Sequence, residues 1–277
     1  ERAWLAAASR TERAGWVVLR LKGVPEAVGF QRGYLTAREI DAMRADFRHF
    51  IPRDTGKDWT FFVAEAGKQF KGKIPEEYER ELRGMAAGAG KAGVDVSYEE
   101  LLFLNGFIDL LWYWWEGAKD KVAGAGPGCS AFIATGAATG GRGIVMGHNT
   151  WIGFMMGKHL FVVVDMVPEK GHRMVMQTIG PSIYSATDFF VTDAGLVGTE
   201  TTIGGFKGYR KEGVPMFVRA RHAMQYADCI DGWVRLVAEN NNGAYANSWL
   251  IGDVKNGEIA RFELGLKSQK LDRKRDG

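Results

Sequence analysis

The sequence predicts an α+β fold in which helices cover a largely antiparallel sheet. Up to residue 128 the apolar residues recur mainly at helical spacing, whereas beyond Cys129 short β-rich runs alternate with turn residues. The chain has 277 residues, of which 46% are hydrophobic, so it is long enough to bury a sizeable core. We therefore divide it into a mainly helical segment, 1–128, and a β-rich segment, 129–277, and expect the two to form one domain.

One strand and three helices are predicted in the first segment. The strand covers residues 16–21, and the helices begin near Thr36, Pro75 and Ser97. Thr36 and Ser97 each precede a glutamate by three residues, which is the spacing of a capping box. Pro75 is followed by two glutamates, a combination that suits the first turn of a helix. Four glycines near the end of the second helix are expected to permit close backbone packing: Gly84, Gly88, Gly90 and Gly93.

The second segment reads as strands joined by short turns, with one clear helix. The helix begins at Pro215 and runs to Ala227. A glycine-rich stretch, 136–143, is expected to be the loop of a hairpin that joins a strand after Cys129 to its neighbour. The predicted strands are 130–134, 144–146, 160–167, 173–179 and 249–254.

Composition excludes several classes of protein. A net charge of +3 with 25% charged residues gives no reason to expect a nucleic-acid partner. Two cysteines cannot form a dense disulfide framework, and Cys229 is expected to be a small core residue. The longest apolar run, 101–115, is interrupted by polar residues and is shorter than the ~20 residues that span a bilayer. We expect a buried helix there, no transmembrane segment, no secretory signal at the start of the chain, and a soluble protein.

Cys129 is the most informative single residue. It follows a small, flexible stretch, 124–128, and precedes an apolar run that predicts a strand. An N-terminal-nucleophile hydrolase needs such a junction, because it cleaves its own backbone before the nucleophile and then uses the released α-amino group as general base. A buried cysteine with only a packing role is the alternative interpretation.

His148 follows the second strand of the predicted hairpin. A hairpin returns its second strand beside the first, so His148 is expected near Cys129. The alternative is a polar residue with an ordinary hydrogen bond. The other histidines have no metal-ligand spacing with the cysteines, and the sequence therefore predicts no metal site.

Two further segments have side chains suited to a reaction site. Residues 199–205 combine threonines, a glutamate and glycines, which suits either a pocket wall or an ordinary strand end and turn. Asn247 lies in an Asn-rich stretch before a strand, where its amide would either donate to a tetrahedral oxyanion or only shape the turn. No G-x-S-x-G motif occurs, so a serine hydrolase of the α/β type is not indicated.

Taken together, these segments resemble the phospholipase B-like family and, more distantly, the isopenicillin-N acyltransferase group, within the N-terminal-nucleophile (Ntn) hydrolases. Individually each block is short, and their order and spacing carry the resemblance. The matching blocks are 31–36, 81–89, 104–107, 129–131, 148–151, 199–204 and 245–249.

The resemblance implies a four-layer αββα sandwich of two stacked sheets between helices. It implies reaction through a thioester acyl-enzyme without a cofactor. The base would be the α-amino group of Cys129, whose usual pKa is about 7.7–8.0. The implied catalytic residues are Cys129, Asn247 and His148, and the implied substrate-binding residues are Trp151, Thr201 and Asp165.

The function expected from the sequence is a self-processing cysteine hydrolase that cleaves an amide or ester bond of a small acylated substrate. Such a chain stays latent until it is cut before Cys129, and segment 1–128 would then be a self-cleaved fragment. The alternative is a non-catalytic lipid- or ligand-binding protein that retains the fold. The resemblance also implies an exported or lysosome-like compartment, and further strands with a pocket arginine beyond Gly277. N-acyl amide, peptide and phospholipid substrates are not distinguished, nor is an oligomeric state.

Overall fold

The computed structural model describes residues 1–115, 129–185, 189–206 and 208–277. These ranges contain a run of consecutive helices, within residues 25–107, and a large sheet, which confirms the predicted α+β class. The flexible stretch predicted at 124–128 lies outside the described residues.

A nine-stranded sheet forms the centre of the molecule. Its strand order is β1-β2-β5-β6-β7-β8-β9-β10-β11, and every neighbouring pair is antiparallel except β2 and β5, which are parallel. The prediction of a largely antiparallel sheet is thus confirmed. The strands of this sheet are β1 Ser9–Arg13, β2 Trp16–Gly23, β5 Val162–Pro168, β6 Met174–Thr178, β7 Phe190–Thr192, β8 Leu196–Thr202, β9 Asn247–Asp253, β10 Glu258–Leu264 and β11 Gln269–Lys274.

A separate two-stranded hairpin carries the candidate nucleophile. Its strands are β3 Ser130–Ala134 and β4 Val145–Asn149, paired antiparallel with Ala131 opposite His148. The hairpin lies against β8 and β9 of the large sheet. Ile144, just before β4, packs beside Gly252 of β9. A side-chain carbon added at Gly252 would lie only 3.0 Å from the Ile144 side chain.

The described residues contain nine α-helices, most of them in the first segment. The apolar run predicted as one long helix is α6 followed by a buried π-helical segment, Ile108–Trp114. No helix among the described residues combines the length and the hydrophobicity needed to cross a bilayer. The helices are α1 Arg2–Ala6, α2 Pro25–Leu35, α3 Ala37–Thr55, α4 Trp59–Phe70, α5 Glu76–Lys91, α6 Tyr98–Phe107, α7 Phe154–Gly157, α8 Met216–Tyr226 and α9 Ile230–Ala238.

The two segments of the chain share the sheet and the core. Strand β2 of the first segment is hydrogen-bonded to β5 of the second, from Val17 opposite Val162 onward. A buried ion pair also joins them, because Arg221 of α8 donates to Glu81 of α5 at 2.8 Å with both side chains almost fully buried. Removing one partner of such a pair leaves an uncompensated buried charge. The segments are therefore held together by more than the peptide link between them.

Two helix starts test the predicted capping boxes. At Ser97 the box is confirmed, because its hydroxyl accepts from the backbone of Glu100 at 3.1 Å and the Glu100 carboxylate accepts from the backbone of Ser97 at 3.0 Å. At Thr36 the prediction is wrong. The Thr36 hydroxyl donates to the carbonyl of Arg32 at 2.8 Å, because Thr36 also ends α2 and so faces the preceding turn.

The prediction for Cys229 is also wrong. Cys229 is exposed and is the N-cap residue of α9. It lies before the helix, not inside it, so the apolar face of α9 does not bury it. Because Cys229 is exposed and distant in sequence from Cys129, its substitution is a suitable control for experiments on the Cys129 thiol.

Helices α2 and α5 pack with their backbones in contact. Glycines on both helices make this possible: a side-chain carbon at Gly29 would lie 1.8 Å from the carbonyl oxygen of Glu81, and one at Gly88 would lie 2.1 Å from that of Phe30. Gly33 and Gly84 make equivalent contacts. The predicted close packing is confirmed for Gly84 and Gly88 but not for Gly90 and Gly93, which have nothing within 4 Å of a side-chain position.

Gly29→Ala should lower the melting temperature strongly, because the added methyl group would clash with the backbone of Glu81, which cannot change rotamer as a side chain can. Overpacking of a well-packed interface costs about 1–3 kcal/mol, and we expect the upper end here. Gly90→Ala is the matched control, since it removes an exposed helical glycine with open space around it and should stabilise by about 0.5–1 kcal/mol. Thermal unfolding of both variants measures the contrast. Equal melting temperatures would refute the close contact.

Candidate active site

Cys129 directly precedes β3, and the hairpin sets its surroundings. Antiparallel pairing brings the residues after β4 back beside the start of β3. The backbone N–H of Trp151 donates to the Cys129 sulfur at 3.4 Å. Cys129 is only partly buried, whereas the Trp151 side chain is 64% exposed. The thiol therefore lies at the edge of the protein interior, and the residue whose backbone contacts it has an exposed indole.

Three side chains with different chemistry meet at this edge. The Cys129 sulfur, one ring nitrogen of His148 and one carboxylate oxygen of Glu200 all lie within 4.8 Å of one another. Cys129 and His148 come from the hairpin, and Glu200 comes from β8 of the large sheet. The hairpin thus brings His148 to the thiol, as the sequence predicted.

Burial favours the neutral forms of both the thiol and the imidazole near pH 7. Burial raises the pKa of the Cys129 thiol, and the nearby Glu200 carboxylate raises it further, while the Trp151 N–H opposes them. Burial lowers the pKa of His148, with a partial offset from the backbone of Glu200. In the uncut chain Cys129 is therefore a protonated thiol beside a neutral imidazole, which is able to accept its proton.

Glu200 is wholly buried and is held in place by Tyr245. The Tyr245 hydroxyl donates to Glu200 Oε1 at 2.9 Å, and the Thr202 hydroxyl donates to the Tyr245 oxygen at 3.1 Å. Tyr245 has a backbone φ of +51°, which is uncommon for a residue with a side chain. Strain of this kind persists only where the surrounding contacts enforce it. The Tyr245 contact thus fixes the carboxylate at the site.

Asn247 is the first residue of β9, and its side-chain amide is fully buried. Neither the amide nitrogen nor the amide oxygen has a hydrogen-bond partner among the described residues. Its backbone is fixed by β-pairing to Thr202, and the preceding N–H of Ala246 donates to the Tyr113 hydroxyl at 3.1 Å. A buried amide without partners costs about 1–3 kcal/mol, so an unused donor here calls for an explanation.

Trp151 and Thr201 both lie next to members of the cluster. Trp151 contacts Cys129 through its backbone, and Thr201 follows Glu200 in β8, half-buried and opposite Ser248 of β9. The structure thus brings Cys129 and His148 into contact range, and its neighbouring strands carry Thr201 and Asn247.

Asp165 lies elsewhere on the large sheet. It belongs to β5, which is separated from β8 by β6 and β7, so about three strand spacings or 14 Å divide the two strands. Arg173 donates to both oxygens of Asp165 at 2.8 Å, and these hydrogen bonds lower the pKa of the Asp165 carboxyl. The structure does not bring Asp165 to the cluster.

Sequence reasoning missed the role of Glu200 and Tyr245. Both lie inside segments that it singled out, 199–205 and the stretch before Asn247, but neither was assigned a function. The available signal was the single acid among threonines and glycines in a strand. A charged side chain in a strand of this kind is costly to bury without a partner or a function.

The sequence predicts no metal site because, along the chain, the histidines have no metal-ligand spacing with the cysteines. The folded chain brings together sulfur, nitrogen and oxygen donors from residues that are far apart in sequence. These are the donor types that bind zinc. Linear spacing therefore does not decide the question at this site.

Alkylation of Cys129 tests its electrostatic setting. In uncut Cys229→Ser protein, whose intact mass is checked beforehand, the rate of iodoacetamide labelling should keep rising above pH 8.5, because the folded thiol has a raised pKa. In denaturant the same thiol should show a midpoint near its usual value of about 8.5. Labelling rates measured against pH give both midpoints. A folded midpoint below the unfolded one would contradict the assigned surroundings of the thiol.

Comparison with known proteins gives a family match for most of the chain. Residues 82–264 match the family model described as Phospholipase B, a range that includes Cys129, His148, Glu200 and Asn247. An uncharacterized protein of Archaeoglobus fulgidus is 28% identical over 273 residues, covering 93% of this chain and 44% of the archaeal protein.

Mammalian proteins match a shorter part of the chain. Proteins of Bos taurus and Homo sapiens, both named "Putative phospholipase B-like 2", are each 28% identical over 203 and 208 residues respectively. Each alignment covers 68% of this chain and 33% of the mammalian protein. The chain thus spans less than half the length of these relatives.

Proposed function

This chain belongs to the phospholipase B family, and on that premise we propose that it is a cysteine hydrolase that cleaves an amide or ester bond of an acylated substrate. The observation that carries the proposal is the position of Cys129. Its thiol directly precedes a strand and lies within 4.8 Å of an imidazole nitrogen and a carboxylate oxygen. A nucleophile with a proton acceptor in reach is the arrangement that acyl transfer requires.

The proposed reaction has two acyl-transfer steps. The Cys129 sulfur attacks the substrate carbonyl carbon, and its proton passes to the leaving amine or alcohol as the carbon–heteroatom bond breaks. Water then hydrolyses the thioester and regenerates the thiol. Asn247 would stabilise the oxyanion in both steps, since its buried amide has no other use among the described residues.

We propose that the same thiol first cleaves the chain. Cys129 attacks the carbonyl of residue 128, forming a thioester while the peptide C–N bond breaks and the nitrogen gains a proton. Water hydrolyses that thioester and leaves a free α-amino group on Cys129. His148, neutral because burial lowers its pKa, accepts the thiol proton in the uncut chain. After the cut, the α-amino group takes over as base.

An acyl chain is the substrate feature that the surface favours. Phe132 of β3, Trp151 and Phe154 are respectively 57%, 64% and 91% exposed, and Trp151 and Phe154 follow the end of β4 by two and five residues. Exposed aromatic side chains of this kind are typical of binding surfaces when they form one patch. The hairpin would then be part of the second sheet of a four-layer αββα sandwich, stacked on the nine-stranded sheet at β8 and β9.

Intact mass and a substrate screen test the proposal together. Purified protein should separate under denaturing conditions into pieces 1–128 and 129–277, and sequencing of the second should begin Cys-Ser-Ala-Phe. The cut protein should release product from fluorogenic N-acyl amides or from phospholipid vesicles. A chain that stays whole on prolonged incubation and hydrolyses neither substrate class would refute the proposal and favour a ligand-binding protein.

A further inference from the structure

The side chains of Cys129, His148 and Glu200 offer a thiol, an imidazole and a carboxylate within one small volume. Their donor atoms lie within 4.8 Å of one another, and the ligands of a tetrahedral zinc ion lie about 3.5 Å apart. A contraction of at most about 1.3 Å would bring them to that distance. Sulfur, nitrogen and oxygen donors together favour zinc over magnesium or calcium, which prefer oxygen alone.

Each of the three side chains also has an outer hydrogen-bond partner that orients it. The Trp151 N–H contacts the Cys129 sulfur at 3.4 Å, and the Thr150 hydroxyl lies 3.3 Å from His148 Nδ1. The Tyr245 hydroxyl donates to Glu200 at 2.9 Å. Ligands held by outer partners in this way are a recurring property of protein metal sites.

We propose that Cys129, His148 and Glu200 form a binding site for Zn²⁺, and that the bound ion masks the nucleophile. The thiol loses its proton to solvent as the sulfur–zinc bond forms, and no electron is transferred. Once the thiol is deprotonated, the dication offsets the repulsion between the Cys129 thiolate and the Glu200 carboxylate. Three protein ligands leave a fourth position for water. The masking depends on the hydrolase function proposed above, whereas the binding itself does not.

Zinc binding is measured by titrating metal-free protein with zinc chloride against a chromophoric chelator. We expect one site in the wild type and an unchanged affinity in Cys229→Ser, whose thiol is exposed and distant in sequence. Cys129→Ser, His148→Gln and Glu200→Gln should each weaken binding at least about 10-fold, since even loss of an outer partner costs 10–100-fold. Substitution of Co²⁺ should give a thiolate charge-transfer band that disappears in Cys129→Ser.

Protection of the thiol is the second measurement. In Cys229→Ser protein, Zn²⁺ should slow alkylation of Cys129 at least about 10-fold, and EDTA should restore the rate, with little protection in His148→Gln. Zinc affinity that is equal in the wild type and the three ligand variants would overturn the site. Hydrolysis without zinc binding at these residues would overturn this inference alone. Zinc binding there without any cleavage or turnover would leave the site standing and refute the proposed function.

Discussion

Cys129→Ala should abolish both chain cleavage and substrate turnover, because in the proposed mechanism one sulfur performs both attacks. Removal of the nucleophile from an acyl-transfer site costs on the order of 10⁶ in kcat where it has been measured in a serine hydrolase, so activity should fall to the assay background. The variant should fold normally, since Cys129 is only partly buried and its sulfur accepts a hydrogen bond from a backbone N–H and from no side chain among the described residues. Intact mass and turnover on the same preparation measure the two losses.

The controls separate nucleophile loss from damage to the fold. Cys229→Ala removes the other thiol, which is exposed, and should cleave and turn over like the wild type. Cys129→Ser keeps a weaker nucleophile and should retain slow cleavage. Turnover that survives in folded Cys129→Ala would show that another residue attacks the substrate.

Asn247→Ala should lower kcat by on the order of 10²–10³ with a small change in KM, because an oxyanion contact strengthens as charge develops in the transition state. Its amide is buried and has no partner among the described residues, so truncation breaks no hydrogen bond there and the fold should survive. Asn247→Asp should be at least as damaging, because a carboxylate repels the developing negative charge. Steady-state kinetics and melting temperature on the same preparations give the comparison.

Asn241 is the matched control for an asparagine that shapes the turn. Its side chain donates to the carbonyl of Gly265 at 2.9 Å and accepts from the N–H of Gly243 at 2.7 Å. Asn241→Ala should therefore lower the melting temperature and leave kcat per folded molecule near normal. If Asn247→Ala behaves like Asn241→Ala, Asn247 has a structural role and the oxyanion assignment is wrong.

The sequence predicted correctly those elements that depend on interactions between residues close together in the chain. The hairpin around 136–143, the strand after Cys129 and the capping box at Ser97 depend on residues within one turn or one hairpin, and the structure contains all three. The proximity of His148 to Cys129 follows from that hairpin. Several elements were not predicted, among them helices α1, α2 and α4 and strands β1, β10 and β11. Strand β1 was missed because Ser9–Arg13 is polar and exposed and lacks an alternating apolar face.

Long-range contacts escaped the sequence reasoning for a physical reason. Glu200 reaches Cys129 because the hairpin stacks on β8, and nothing within either segment specifies that stacking. Tyr245, in the turn before β9, supports Glu200 of β8 through a hydrogen bond between residues 45 positions apart. The capping-box prediction at Thr36 failed because this residue both ends α2 and begins α3. Its hydroxyl is hydrogen-bonded to Arg32 of α2 and does not cap α3.

The parallel pairing of β2 with β5 has a consequence for how the chain is made. Val17 is synthesised long before Val162, so apolar residues of β2 such as Leu19 stay exposed until β5 has been made. Pairing between strands so far apart in the sequence is slow, and strand edges that are still unpaired are prone to aggregate. The order of events in the proposed maturation is then constrained: the intact chain folds while its two halves are still linked, and the proposed cut follows. If the cut protein is denatured, that link is gone, so refolding requires two separate fragments to associate and its yield depends on concentration.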